Sequence, residues 1–182
     1  MLTTTAIHSA TANDATLRRL YETAFPVEEQ IPYDDIIRLL DVMAIDFTAY
    51  YENGNLVGLT MVLPLPQWNW GWYFAVCEDL RGKGYGQHIL TAVLDKYRGE
   101  RPFVIDIEAH DQPDAPNPEQ RQRRHAFYLR NGLKDTPTRR TYEGVTYTIM
   151  TNGDTPFTQQ DYDTIIAALH QCWDNMPDEE GR

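Results

Sequence analysis

Hydrophobic and polar positions recur along this chain with two alternating periods. Over residues 13–25, Leu17, Leu20, Tyr21 and Ala24 fall three and four apart, the spacing of one helical face. Asn13 or Asp14 is placed to cap that helix and Pro26 to stop it. Residues 27–42 predict a second, shorter helix, interrupted near Pro32. Over 46–65 the period changes. Two strand-like runs flank Asn53-Gly54, a dipeptide that supplies the positive φ angles of a tight hairpin turn. The aromatic run 68–80 predicts another strand, and Ile89, Leu90, Val93, Leu94 and Tyr97 then share a helical face. Residues 101–110 alternate, with Phe103, Ile105 and Ile107 on one side and Asp106, Glu108 and His110 on the other. A loop follows and ends in a helix start: Asn117 as cap, Pro118 in the first turn, Gln120 three after the cap. Asn131-Gly132 is a left-handed stop. Strands flank Glu143-Gly144, and Tyr162, Ile165, Ile166 and Leu169 mark a last helix capped near Thr158. Residues 4–10 read as a short first strand.

The order strand, helices, hairpin, strand, helix, strand, helix, strands, helix predicts a mixed α/β fold, a central mixed sheet flanked by helices. The strand-helix-strand unit over 70–110 should hold its two strands parallel. One domain spanning 1–182 is expected, with a core over 4–150, a C-terminal extension over 151–176 and a mobile tail at 177–182.

Composition narrows the partners. The formal net charge of -11 argues against nucleic acid and anionic membrane, which both need a basic face. It suits a cationic substrate as well as plain solubility. Cys77 and Cys172 make no disulfide framework and no zinc spacing, so neither a metal site nor an oxidising compartment is expected. The first residues show no signal peptide, and no apolar run has the length of a membrane span. A cytoplasmic protein is the expectation, and a homodimer is compatible with the sequence.

Within 80–94, "LRGKGYGQHILTAVL", Gly82, Gly84 and Gly86 alternate with larger residues just before a helix. A helix N-terminus carries backbone N–H groups without internal partners and partial positive charge. Glycines let an anion approach, and Arg81 and Lys83 add full charges. The stretch is shaped for a phosphate or pyrophosphate. It lacks the Gly-Lys-Ser/Thr ending of a P-loop. As a dinucleotide turn it has Gln87 where the third glycine belongs, although Asp106 stands about twenty residues on, where a ribose-binding acid is expected.

Arg81-x-x-Gly84-x-Gly86 also resembles the R/Q-x-x-G-x-G/A signature of the GNAT superfamily of N-acetyltransferases. In that family the signature joins the fourth strand to the third helix, as it does here. The segment 123–134, "RRHAFYLRNGLK", is similar to the family's second signature, in which a helix carries a tyrosine and ends in Asn-Gly-Phe; here these are Tyr128 and Asn131-Gly132-Leu133. Strand and helix order match over about 4–150. Glu78 stands where the family usually has proline, Leu133 replaces the phenylalanine, and Arg121 sits where many members carry a cofactor-touching asparagine.

The resemblance implies a GNAT-like acyl-CoA N-acyltransferase fold and transfer from acetyl-CoA to a primary amine of a small molecule or peptide, directly, in a ternary complex. Arg81, Gly82, Lys83, Gly84, Tyr85 and Gly86 would grip the cofactor, and the backbone of Phe74, Ala75 and Val76 would pair with its pantetheine arm and thioester oxygen. An alkylamine with a pKa near 10 is only on the order of 0.1% neutral at pH 7, so a general base helps. Glu108, on the polar side of its strand with Asp106 and His110, is the first candidate; Glu28 and Glu29 are the alternatives. Tyr128 is the candidate acid for the leaving thiolate. Tyr33, Trp68, Trp70 and Trp72 are candidates for an aromatic acceptor pocket. Arg123, Arg124 and Arg130 read as a solvated helix face, and Cys77 as a structural thiol rather than an acetyl carrier. Two other readings remain: a non-catalytic CoA-binding sensor, and an NAD-binding oxidoreductase using Asp106.

Overall fold

A computed structural model describes residues 2–99, 101–112, 114–174 and 176; the tail 177–182, expected to be mobile, lies outside the described residues. The chain runs β1 (Thr3–Ala6), α1 (Ser9–Ala12), α2 (Ala15–Ala24), a 3-10 turn (Val27–Glu29), α3 (Tyr33–Val42), β2 (Asp46–Glu52), β3 (Asn55–Pro64) and β4 (Asn69–Val76). A second 3-10 turn (Glu78–Leu80) leads to α4 (Tyr85–Lys96), β5 (Phe103–Glu108), α5 (Pro118–Arg130), β6 (Lys134–Tyr142), β7 (Val145–Thr151) and α6 (Gln159–Asp174).

Local chemistry accounts for most boundaries. The Asp14 carboxylate accepts from the amides of Thr16 and Leu17 at 2.7 and 3.1 Å and starts α2. Pro32 has no N–H and disfavours helical φ/ψ in the residue before it, so the pattern over 27–42 divides into the first 3-10 turn and α3. Thr158 and Asp161 bond reciprocally at the start of α6, Thr158 N to Asp161 Oδ2 at 2.8 Å and Asp161 N to Thr158 Oγ1 at 3.3 Å. Asn117 departs from its expected role. Its Oδ1 accepts from Arg121 Nε at 2.8 Å and its amide donates to Gln120, so the cap residue holds side chains instead of the helix amides. The first strand ends at Ala6, because Ser9–Ala12 already turns as α1.

The seven strands form one sheet in the order β1-β2-β3-β4-β5-β7-β6. The β4–β5 pair is parallel, joined through α4, and the other neighbours are antiparallel. Apolar side chains cover both faces. On one, Ile89, Leu90 and Val93 of α4 and Tyr128 of α5 pack against Phe103, Ile105 and Ile107. On the other, α2 and α3 cover β2 to β4, and α6 lays Tyr162 and Ile165 beside Trp68, Trp70, Val104 and Ile149. The last helix therefore packs on its own chain.

One irregularity shapes the molecule. Asn69, Trp70 and Gly71 pair with Phe103, Val104 and Ile105, and there the β4–β5 ladder stops. At the same point β4 bulges: Met61 faces Tyr73 while the next residue, Val62, faces Gly71, leaving Trp72 unmatched. A Cβ on Gly71 would stand 2.4 Å from the Phe103 ring, so this glycine lets the two strands close before they part.

Candidate active site

Beyond Gly71 the separating strands open a cleft of about 880 Å³. Residues far apart in the chain meet on its walls. Phe74, Ala75, Val76, Arg81, Gly86, Glu108 and Tyr128 line it, and so do Glu28, Glu29 and Asp106.

Arg81 and Gly86 bring the glycine turn to the cleft, while Gly82, Lys83, Gly84 and Tyr85 are not among the residues that line it. Gly82 and Gly84 take φ angles of 75 and 88°, the left-handed region that favours glycine. A Cβ on either would meet nothing within 4 Å, so the turn offers bare backbone to open space. The first α4 bond runs from His88 N to Gly84 O, which leaves the amides of Tyr85, Gly86 and Gln87 ahead of the helical ladder. Lys83 is exposed. The Tyr85 hydroxyl is committed elsewhere, donating to Glu52, so at the turn this residue offers its amide.

The strand edge leads inward from the turn. Cys77 N donates to Val57 O at 2.9 Å. Bonding direction alternates along an antiparallel pair, so Ala75 shares the direction of Cys77, toward β3, while Phe74 and Val76 turn their peptide groups to the open edge. Two contacts agree. The Ala75 carbonyl oxygen lies 2.5 Å from where a Cβ on Gly58 would stand. The Val76 carbonyl accepts from Arg81 Nε at 3.2 Å. The bulge and the parting of β4 from β5 together free this edge, and neither is visible in a pattern of residue types.

Glu108 is buried, 8% exposed, with both oxygens engaged. Arg121 binds Oε1 at 2.5 Å and Arg124 binds Oε2 at 2.9 Å. Arg121, at the position where the resemblance expects an asparagine, is 4% exposed and turned to this carboxylate and to Asn117. Arg124 is thus an ion-pair partner and not part of a solvated face; Arg123 borders the cleft, and Arg130 lies over the Phe127 ring at 5.0 Å. Asp106 pairs with Arg140 at 2.8 Å, so the acid that a dinucleotide site would offer to ribose is held by a guanidinium.

Glu29 has different company. Its 3-10 turn is tied down from several sides: Tyr73 Oη donates to the Glu29 carbonyl at 2.8 Å, Gln30 donates to Phe25 O at 2.6 Å, and Ile31 N donates to Tyr21 Oη at 2.9 Å. The carboxylate accepts from Tyr147 Oη at 2.6 Å. Burial raises its pKa above the ordinary carboxylate value, and the nearby charges of Glu108 and Asp106 add to this against the opposing Tyr147 bond and Arg124. Glu28 is exposed at the rim.

Tyr128 is 5% exposed, and burial pushes its phenol well above the usual range, so it stays a proton donor at neutral pH. Trp70 and Trp72 stack at 6.1 Å and border the cleft. Trp68 and Tyr33 do not. Trp68 packs edge-on to Phe157 and donates to Asp161 at 3.1 Å, and Tyr33 donates to Ala12 O at 2.9 Å within the core. Cys77 is half-buried and donates to Leu56 O at 3.4 Å; burial raises its pKa, which keeps it a thiol. Tyr147, Arg140, Tyr142 and the α6 residues Leu169 and Trp173 also border the cleft. The residue pattern alone did not single them out for the site, since an aromatic strand and an amphipathic helix have the same signature when they only build a core.

Comparison with known proteins agrees with this architecture. The acetyltransferase (GNAT) family model matches residues 15–133. Among curated proteins none is similar enough in sequence to match. Among solved structures, a protein from Bacteroides thetaiotaomicron assigned to the GNAT family superposes with a TM-score of 0.74 at 21% identity, over 93% of this chain and 96% of the other. The ribosomal-protein-S18-alanine N-acetyltransferase from Escherichia coli gives 0.63 at 16%, over 87% of this chain and 100% of the other. A GNAT family acetyltransferase from Elizabethkingia anophelis, solved with acetyl-CoA bound, gives 0.59 at 17%, over 82% and 96%. At these identities the structural likenesses establish the fold.

Proposed function

The chain belongs to the GNAT family of acetyltransferases, and we propose that it transfers the acetyl group of acetyl-CoA directly to a primary amine, with both substrates bound together. One observation carries this reading. Arg81 and Gly86 of the glycine turn, the open edge of β4, Glu29 and Tyr128 border a single cleft, which is what a long thioester and an amine meeting it would need.

The residues fit acetyl-CoA. The open space over Gly82 and Gly84, with the leading amides of α4 and the cations Arg81 and Lys83, suits a pyrophosphate. The edge groups of Phe74 and Val76 suit the amides of a pantetheine arm. Acetyl-CoA supplies an activated acyl group whose leaving thiolate is stable, with a thiol pKa of about 8.5.

The protein's own part is to move protons and hold geometry. Glu29, its carboxylate oriented by Tyr147 and its pKa raised, takes the proton from the incoming ammonium, directly or through a water. As the N–C bond forms and the C–S bond breaks, the nitrogen gives its second proton to solvent, and Tyr128 donates a hydrogen bond to the departing thiolate. Glu108 serves instead as an anchor for Arg121 and Arg124, since both of its oxygens are occupied by guanidiniums and neither is open to an incoming amine. Asp106 and Arg140 form a neutral pair beside it.

Calorimetric titration with acetyl-CoA, with NAD as control, and a thiol-release assay over an amine panel test the proposal. Binding of acetyl-CoA with amine-dependent release of coenzyme A is expected. Binding without release from any amine would mark a coenzyme A sensor, and preferential binding of NAD would reject the acyltransfer reading altogether.

A further inference from the structure

The acceptor end of the cleft is built largely by residues beyond 133, where the family match stops. Tyr142 and Tyr147 come from the β6–β7 hairpin, Leu169 and Trp173 from α6; Phe25 and Trp72 complete the wall. Trp173 and Tyr142 border the cleft while keeping 38% and 47% of their surface exposed. Aromatic faces at the mouth of a cleft offer cover to a flat apolar ligand.

Arg123 and Glu28 are exposed charges bordering the cleft, and the deeper ones are mostly paired. Asp106 is held by Arg140, and Glu108 by Arg121 and Arg124. Arg140 is further occupied by ring faces, 4.3 Å from Tyr147, 5.5 Å from Tyr142 and 5.6 Å from Tyr162. Glu29 is instead held by a neutral donor, the Tyr147 hydroxyl. A single ammonium therefore meets one carboxylate, with the rings of Phe25, Trp72 and Trp173 beside it, both attractive to it. A carboxylate next to that amine would be brought toward Glu29, with Arg140 already engaged. A second ammonium would reach only Glu28, exposed at the rim, where solvent screens the attraction.

Resting on the acetyltransferase reading, we infer that the acceptor is an arylalkylamine: one primary amine on a flat aromatic body, with no carboxylate beside the amine. Trp72 and Trp173 hold the ring, and Glu29 receives the ammonium.

The test measures thiol release by the full chain at saturating acetyl-CoA with 2-phenylethylamine, L-phenylalanine and spermidine. The first is expected to exceed L-phenylalanine in kcat/KM by about 100-fold, the scale of an uncompensated like charge, and to exceed spermidine as well. Trp173→Ala is expected to raise the KM for 2-phenylethylamine about tenfold while leaving that for acetyl-CoA in place, with Trp173→Phe restoring most of the loss. Equal or better use of phenylalanine or spermidine would overturn the acceptor class and leave the acetyltransferase reading standing. Binding of acetyl-CoA in calorimetry with no release from 2-phenylethylamine would also overturn it. Failure to bind acetyl-CoA at all would remove the acetyltransferase reading, and the acceptor class with it.

Discussion

The Tyr147 hydroxyl donates a 2.6 Å hydrogen bond to the Glu29 carboxylate across 118 positions of chain. This bond joins the turn before α3 to β7, and the carboxylate it holds, its pKa raised by burial, borders the cleft that opens where β4 and β5 part.

Glu29→Gln should lower kcat by about 100-fold or more, the usual contribution of a general base. The wild-type rate should fall as pH drops through the raised Glu29 pKa, because the base is then protonated. The variant should lose that acidic limb. A pH profile of kcat/KM decides it, and a limb that persists in the variant would assign the base elsewhere.

The same shift has a consequence for stability, of opposite sign to its use in catalysis. Because the folded-state pKa of Glu29 lies above its unfolded value, the folded protein binds this proton more tightly. The contribution to stability is fully present below the unfolded pKa and is lost as pH rises through the folded one. Glu29→Gln should therefore raise Tm relative to wild type at pH 8 and change it little at pH 4. Thermal melts at the two pH values make the comparison.

Glu108→Gln should keep the acidic limb, in contrast to Glu29→Gln, since both Glu108 oxygens are bound to arginine. Its damage should appear in stability. Arg121→Ala, which strands a buried carboxylate beside Arg124 alone, should cost about 3–5 kcal/mol in urea unfolding. A loss of less than about 1 kcal/mol would mean the pair is solvated.

Tyr128→Phe should lower kcat while leaving the KM for acetyl-CoA nearly unchanged. The leaving thiolate is already stable, so a loss of about tenfold to 100-fold is expected. Equal losses in turnover and in acetyl-CoA affinity would reject Tyr128 as the donor.

Gly84→Ala places a side chain at a φ of 88°, a backbone cost of about 1–2 kcal/mol, and projects its methyl into the open space above the turn. Weaker acetyl-CoA binding with an unchanged KM for the amine is the expected result of titration and steady-state kinetics.

Much of the fold was legible from local patterns. Asn53-Gly54 marked the hairpin, and both residues take positive φ, 50 and 79°. Leu17, Leu20 and Tyr21 marked the buried face of α2, and the run ending at Asn131-Gly132 marked α5. These features are set within a turn or two of chain, where residue type and spacing act directly. The glycine turn was legible for the same reason, since positive φ at Gly82 and Gly84 is a property of those residues.

The roles of the carboxylates were not legible in this way. By spacing alone Glu108 and Asp106 share the polar side of one strand and look alike, and Glu29 looks like a solvated loop residue. Arg121, Arg124, Arg140 and Tyr147 settle their environments, and all of these come from later elements. Proton affinity depends on burial and on charges a few ångströms away, and a linear pattern carries neither. Local residue pattern carries most of the elements, their order and the glycine turn, because short-range sterics and hydrophobic period control them. Where β4 leaves β5, which carboxylates are held by guanidiniums and how α6 borders the cleft came from the folded chain alone, because those follow from contacts between segments that meet only there.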